Sequence, residues 1–239
     1  MSTTYTQGVT TKTYGQMCSI ARSLDVLGER WTLLVIRELL LGPKRFKSLA
    51  AELPGIGGNR LSDRLKGLEE AGIVRRTTLP APASVPAYEL TDLGERLREP
   101  LIALGLWGLD LPVDERIDPH TTRAELIAMA LTGTQTKLLD PARRDDFEFH
   151  VGDELFHLQL RDGRFLARSG PSPSSPIVRV SCDLQTFIEL ARRTLTPSQA
   201  VKDGRATILG GTRTAFVELY RALACLPDAR VASSQLATE

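Results

Sequence analysis

Apolar residues recur at helical spacing through the first hundred positions of the chain and then change to a period of two. Ile20, Leu24 and Leu27 predict one helix over 18–27, stopped by Gly28. A second, over 31–41, is apolar on most of its circumference, with Arg37 and Glu38 as its polar positions, and such a helix is buried. Gly42-Pro43 ends it. A short helix over 46–53 breaks at Pro54-Gly55, and a longer one follows over 58–71. There Leu61, Leu65 and Leu68 make the buried stripe, while Asn59, Arg60, Asp63, Arg64 and Lys66 face outward. After Gly72, strands at 73–79 and 88–90 flank a loop with Pro80, Pro82 and Pro86, and Thr91 or Asp92 caps a helix running towards Trp107. Two short helices, a tight turn and a β-hairpin predict a winged helix-turn-helix.

The second half follows a charged, proline-bearing linker at 110–120. A helix is predicted over 122–131. Phe147, Phe149 and Val151 alternate with polar residues, as do Phe156, Leu158 and Leu160, marking half-buried strands. Asp162-Gly163 is a hairpin turn into a strand at 165–167. A Gly/Pro/Ser surface loop at 170–176 feeds a strand at 177–180. A helix over 183–194, a short piece at 197–201, a strand at 206–209 and an amphipathic helix over 216–226 complete the pattern. The expected class is therefore α+β: an N-terminal winged helix-turn-helix domain (15–111) and a C-terminal antiparallel sheet covered by helices (120–228). A flexible arm (1–14), rich in threonine, and a tail (229–239) flank them.

Composition narrows the function. With 42% apolar and 25% charged residues in 239, the chain is neither disordered nor fibrous. No apolar run approaches the ~18 residues of a membrane span, and the start has no apolar signal core; no membrane association and a cytoplasmic location are expected. Cys18, Cys182 and Cys225 form no C-x-x-C pair, so free thiols are expected. His120, His150 and His157 have no metal-ligand spacing, and the last two read as sheet-surface residues. Gly55-Ile56-Gly57-Gly58 follows a helix and lacks the third glycine of a dinucleotide fingerprint. With no nucleophile elbow or phosphate loop either, the expectation is no metal, no cofactor and no enzyme.

Net charge is only +1, but residues 43–76 hold eight basic groups (Lys44, Arg45, Lys47, Arg60, Arg64, Lys66, Arg75, Arg76) against four acidic ones. That local excess suits a phosphate backbone.

The residues also carry a resemblance. The run from Cys18 to Gly42 (CSIARSLDVLGERWTLLVIRELLLG) resembles the opening of the HxlR-type winged-helix regulators. So do Arg45-Phe46, Leu53-Pro54-Gly55-Ile56, Leu61-Ser62-Asp63-Arg64-Leu65, Leu68-Glu69-Glu70-Ala71-Gly72 and Tyr88-Glu89-Leu90-Thr91. The match covers about residues 15–110. It implies a bacterial or archaeal DNA-binding regulator working as a homodimer, with the first and last helices of the domain at the dimer interface. The reading helix departs from the usual pattern by starting at Gly57-Gly58 rather than after a Ser or Thr cap, which leaves its N-terminus open to a phosphate. Residues 183–190 (DLQTFIEL) and 196–210 (TPSQAVKDGRATILG) resemble the C-terminal part of the sterol-carrier-protein lipid-binding fold, which implies an elongated apolar ligand held between sheet and helices.

The expected DNA-contacting set is Arg45, Lys47, Gly58, Asn59, Arg60, Asp63, Arg64, Lys66, Arg75 and Arg76, with Arg75 and Arg76 positioned on the backbone because the wing tip has no cation. The ligand-pocket set is Phe147, Phe149, Phe156, Phe165, Phe187 and Leu190, residues that serve equally as a filled core. Cys18 is either a packing residue of a dimer helix or a redox-sensing thiol. Together these features imply a sequence-specific regulator acting as a repressor: a homodimer on a pseudo-palindromic double-stranded operator, modulated by an apolar small molecule. The alternatives are redox sensing through Cys18 and, in another class, a lipid or acyl carrier module.

Overall fold

The computed structural model describes residues 13–114, 117–135, 137–224 and 226. The chain divides into two compact units, Met1–Leu39 with Pro43–Glu95, and Leu40–Gly42 with Arg96–Glu239. Most of the expected arm (1–12), the tail (229–239) and Cys225 lie outside the described residues. The end of the arm is held, since Thr13 and the Tyr14 amide both donate to Asp25, at 2.9 and 2.8 Å.

The first unit runs α1 (Ser19–Leu27), α2 (Thr32–Leu40), α3 (Phe46–Glu52), α4 (Gly58–Glu70), β1 (Val74–Thr78), β2 (Pro86–Leu90) and α5 (Asp92–Glu95). Val35, Ile36, Leu49, Leu53, Ile56, Leu61, Leu65 and Leu68 are all buried, as the helical stripes require. β1 and β2 pair antiparallel from Val74↔Leu90 to Thr78↔Pro86. Lys44 exchanges two backbone hydrogen bonds with Tyr88 (3.0 and 2.9 Å), tying the hairpin to the start of α3. Beneath it lies Glu38, fully buried, with Arg37 at 2.6 Å and Lys44 at 3.2 Å. A buried carboxylate is tolerated only with such partners.

The single helix expected from residue 92 to Trp107 is instead two, α5 and α6 (Arg98–Gly108). Pro100 is the reason: its ring clashes with the carbonyl four residues back, so it fits the first turn of α6 but not the middle of a continuous helix. Thr91 starts α5, accepting from the Gly94 amide at 3.2 Å while donating to the Gly72 carbonyl at 2.6 Å.

The second unit contains α6, a 3₁₀ turn (Pro119–Thr121), α7 (Ala124–Thr132), β3 (Asp146–Val151), β4 (Glu154–Arg161), β5 (Arg164–Ser169), β6 (Val178–Cys182), α8 (Leu184–Ala191), α9 (Pro197–Lys202), β7 (Ala206–Gly211) and α10 (Arg213–Ala222). In the division by contacts α6 groups with the second unit, where Ile102 packs so closely on the end of α7 that a Cβ at Gly133 would lie 2.2 Å from its Cγ2. Asp183, Thr196 and Thr212 cap α8, α9 and α10. The α7 N-terminus takes its cap from across the chain, the Ala124 and Glu125 amides donating to the Glu154 carboxylate at 2.8 and 3.1 Å.

Strand order is β5-β4-β3-β6-β7. Three pairings are antiparallel, but β3 and β6 run parallel, so the sheet is mixed rather than antiparallel. Alternation of apolar residues records which face a strand buries, not its direction. The direction follows from the 170–176 crossing, by which the chain leaves β5 and enters on the far side of β3. Two β3 carboxylates hold that crossing. Ser172 and Ser174 hydroxyls donate to Asp146 (2.7 and 2.6 Å), and the Ser172 amide donates to Glu148 (2.9 Å).

On the opposite face Phe149 is the hub, with ring centroids at 5.5 Å from Phe156, 5.8 Å from Phe187 and 6.3 Å from Phe216. The Asp162-Gly163 turn has φ of 52° and 77°, the left-handed pair that the hairpin reading demands. His157 is not a surface residue: it is buried between strands, with Nδ1 2.9 Å from the Gly170 carbonyl. His150 does reach the surface and lies 3.0 Å from Glu148.

Burial alone would raise the Glu148 carboxyl pKa; the Ser172 amide, His150 and Arg179 (2.5 Å) outweigh it and hold the pKa at about 2, below its ordinary 4.5. A depressed carboxyl stabilises the fold fully above its ordinary pKa and loses that contribution as pH falls towards the folded value. The unfolding free energy read from urea titrations should therefore drop between about pH 5 and pH 2 by an amount on the order of 3 kcal/mol, and Glu148→Gln should flatten that part of the pH profile.

Candidate nucleic-acid interface and C-terminal cavities

Three fully buried leucines fix the rotation of α4, leaving Gly58, Asn59, Arg60, Asp63 and Lys66 exposed together on its outer side. Arg64 sits at the flank, half-buried, with Nη1 3.5 Å from the Glu29 carboxylate. Arg45 precedes α3 and Lys47 lies in its first turn, both exposed. No side chain caps the first turn of α4, so its amides are open to an anion.

Charge counting along the chain overstated the free positive groups. Lys44 is buried against Glu38. Arg75 is held by Glu89 at 2.8 Å across the hairpin, and Arg76 by Glu69 at 3.0 Å with its guanidinium 5.9 Å from the Tyr88 ring. Lys66 is 3.8 Å from Glu70. Apart from Glu70, four residues on from Lys66 in α4, these partners lie on other elements or further along the chain, out of view in a linear count. Exposed pairs of this kind are weak and exchange for phosphate readily.

Cys18 is exposed as the N-cap of α1, and the amides of Ala21 and then Ile20 lower its thiol pKa below the ordinary value. Arg22, one turn on, is not the cause. Cys182 is the opposite case, its thiol pushed up to about 12 by burial and by Asp183. α1 leaves Ile20 and Leu24 uncovered next to Met17, and α6 leaves Leu104 and Trp107 uncovered.

In the second unit the six expected pocket residues separate. Phe149, Phe187 and Leu190 line a narrow slit with about 50 Å³ of room, closed by Phe216, Leu219 and Leu223. Phe147 and Phe165 floor a wider cavity of about 360 Å³. Phe156 is fully buried and lines neither. The contribution of α10 was missed: its apolar face was visible in the sequence, but nothing local says that it closes over β3 and β4.

Two short helices, a solvent-facing reading helix and an antiparallel wing define a winged helix-turn-helix, the architecture of a DNA-binding module. The chain belongs to the HxlR-like helix-turn-helix family, which it matches over residues 26–114. Residues 129–216 match the SCP-2 sterol transfer family, so the C-terminal half carries an SCP2 domain. The HTH-type transcriptional regulator YvaP of Bacillus subtilis (strain 168) is 37% identical over 105 residues, 44% of this chain and 93% of that protein. The HTH-type transcriptional regulator YodB of the same organism is 34% identical over 110 residues, covering 46% and 94%. Among solved structures, the reduced form of YodB shows 36% identity over 43% of this chain and 100% of that one, with a TM-score of 0.35.

Gly57, before α4, has φ 66° and ψ 141°, a conformation open in practice only to glycine. Gly57→Ser supplies a better capping side chain yet should destabilise the chain by about 1–3 kcal/mol; urea unfolding of the full-length variant checks it.

Proposed function

We propose that the protein is a sequence-specific transcriptional regulator, a repressor, that binds double-stranded DNA as a homodimer with one α4 in each of two major grooves. The observation that carries this reading is the α4 surface itself: an amide and a guanidinium, Asn59 and Arg60, exposed at the helix start, where adenine and guanine edges are read. Arg45, Lys47 and Lys66 supply phosphate contacts, and Arg64, Arg75 and Arg76 join them by exchanging their carboxylates for phosphate. Family membership and the names of the relatives support the same reading. The uncovered apolar residues of α1 and α6 suit a second copy of the chain, since a lone chain seldom leaves such patches in water. Two-fold symmetry then calls for a pseudo-palindromic operator with half-sites about 10–10.5 base pairs apart or a multiple of it. The SCP2 domain is read as the holder of an apolar effector, which acts only by binding the DNA-competent and incompetent dimers with different affinity.

Fluorescence anisotropy with the protein's own upstream DNA against scrambled DNA, at two salt concentrations, tests this. Selective binding that weakens steeply with salt is expected. Arg60→Ala should cost about 1–3 kcal/mol on the operator and relax its selectivity, whereas Lys66→Ala should weaken all sequences alike and lower the salt slope by about 1. Equal weak binding to both DNAs would place the operator elsewhere than upstream of the protein's own gene or, if selection from a random DNA pool also enriches no sequence, overturn the regulator reading in favour of a carrier role for the second domain.

A second reading, redox control through Cys18, is favoured by the exposure of that thiol and its depressed pKa. Peroxide should then release operator DNA from the parent protein but not from Cys18→Ser. A parent protein indifferent to peroxide ends that reading.

A further inference from the structure

α4 and the wing together hold four carboxylates, Asp63, Glu69, Glu70 and Glu89. Three of them face a neighbouring cation: Glu69 lies 3.0 Å from Arg76, Glu70 3.8 Å from Lys66 and Glu89 2.8 Å from Arg75. Asp63 does not. Its neighbour Arg64 turns instead to Glu29, and among the described residues no hydrogen bond or ion pair engages the Asp63 carboxylate. At about 100° per residue, Asp63 stands opposite the stripe of Leu61, Leu65 and Leu68, in the middle of the outward face and one turn on from Asn59 and Arg60. Gly67, a further turn on, has no side chain to cover it, and the space around a Cβ there is open. The outward face of α4 thus carries an uncompensated negative charge at its centre.

We propose that Asp63 determines part of the operator sequence by accepting a hydrogen bond from the N4 amino group of a cytosine. The inference rests on the reading of α4 as the helix in the major groove and adds a base to it. An ionised carboxylate only accepts hydrogen bonds, and the phosphates along the groove repel it. An amino group is what it can meet there, and the major-groove edge offers two, adenine N6 and cytosine N4. Adenine sets its N7 acceptor beside the amino group, against the second carboxylate oxygen, whereas cytosine sets only a C–H there. A thymine in the same place turns its O4 acceptor towards the carboxylate. Arg60 and Asp63 are three residues apart, about 4.5 Å along the helix axis. With base pairs about 3.4 Å apart, the cytosine lies within about two base pairs of the guanine that Arg60 reads.

Selection from a random double-stranded DNA pool with the full-length protein, followed by anisotropy titration of the selected half-site with each base pair replaced in turn, tests the proposal. The parent protein should prefer cytosine close to the guanine whose selection Arg60→Ala relaxes, and a C·G to T·A change there should weaken binding about tenfold or more. Asp63→Ala, altered at an exposed position, should bind those two operators within about twofold of each other and keep its discrimination at the Arg60 guanine. It should also bind scrambled DNA at least as tightly as the parent, because a charge of the same sign as phosphate is gone. A purely structural role would instead weaken every DNA alike. Base preferences that are all unchanged in Asp63→Ala, or adenine selected in place of cytosine, overturn the assignment and leave the regulator reading standing. Enrichment of no sequence by the parent protein overturns both.

Discussion

The first unit depends on the burial of one stripe of α4. Leu61, Leu65 and Leu68 are each shielded almost completely from water, and at about 1.5–3 kcal/mol per buried side chain they leave the helix no competing rotation. With the rotation set, the outward side chains are set as well, because residues three and four apart share a face. Asn59, Arg60, Asp63 and Lys66 are therefore presented to solvent by the leucines behind them. A helix with the same polar residues and a weaker stripe could roll, and its side chains would hold no fixed position from which to distinguish bases.

Electrostatics in this unit is a matter of partners already in place. Arg75, Arg76 and Arg64 each rest against a carboxylate, so an incoming phosphate replaces an ion pair rather than meeting a bare charge. Glu38 differs in kind: buried between Arg37 and Lys44, it joins the end of α2 to the segment that carries the Tyr88 bridge, and it holds Lys44 inside the fold.

Legibility in the sequence followed the range of the physics. The leucine stripe, the Asp162-Gly163 turn and the alternation of β3 and β4 are local patterns, and each was read at its residues. The parallel β3–β6 pairing depends on a crossing whose path is set by Asp146 and Glu148, twenty-odd residues away from the serines they hold. The carboxylates that hold Arg75 and Arg76 lie on other elements. His157 reads as a surface residue until the Gly170 carbonyl is folded against it. The break before α6 was within reach, because Pro100 forbids the continuous helix from the sequence alone; helical spacing on either side concealed it. The apolar pocket set was recognised by residue type, but division into a slit and a wider cavity depends on α10, which closes from the far end of the domain.

The cap on α7 ties the order in which the second unit can assemble. Its first two amides have their acceptor thirty and twenty-nine residues further on, in Glu154. As the chain lengthens during synthesis, α7 is made before that carboxylate exists, and its first turn has water alone to satisfy it. Only when β3 and β4 have paired does the helix gain a fixed start. The hairpin thus acts as the template on which the preceding helix is completed, and the sheet, made later, decides where the earlier segment begins.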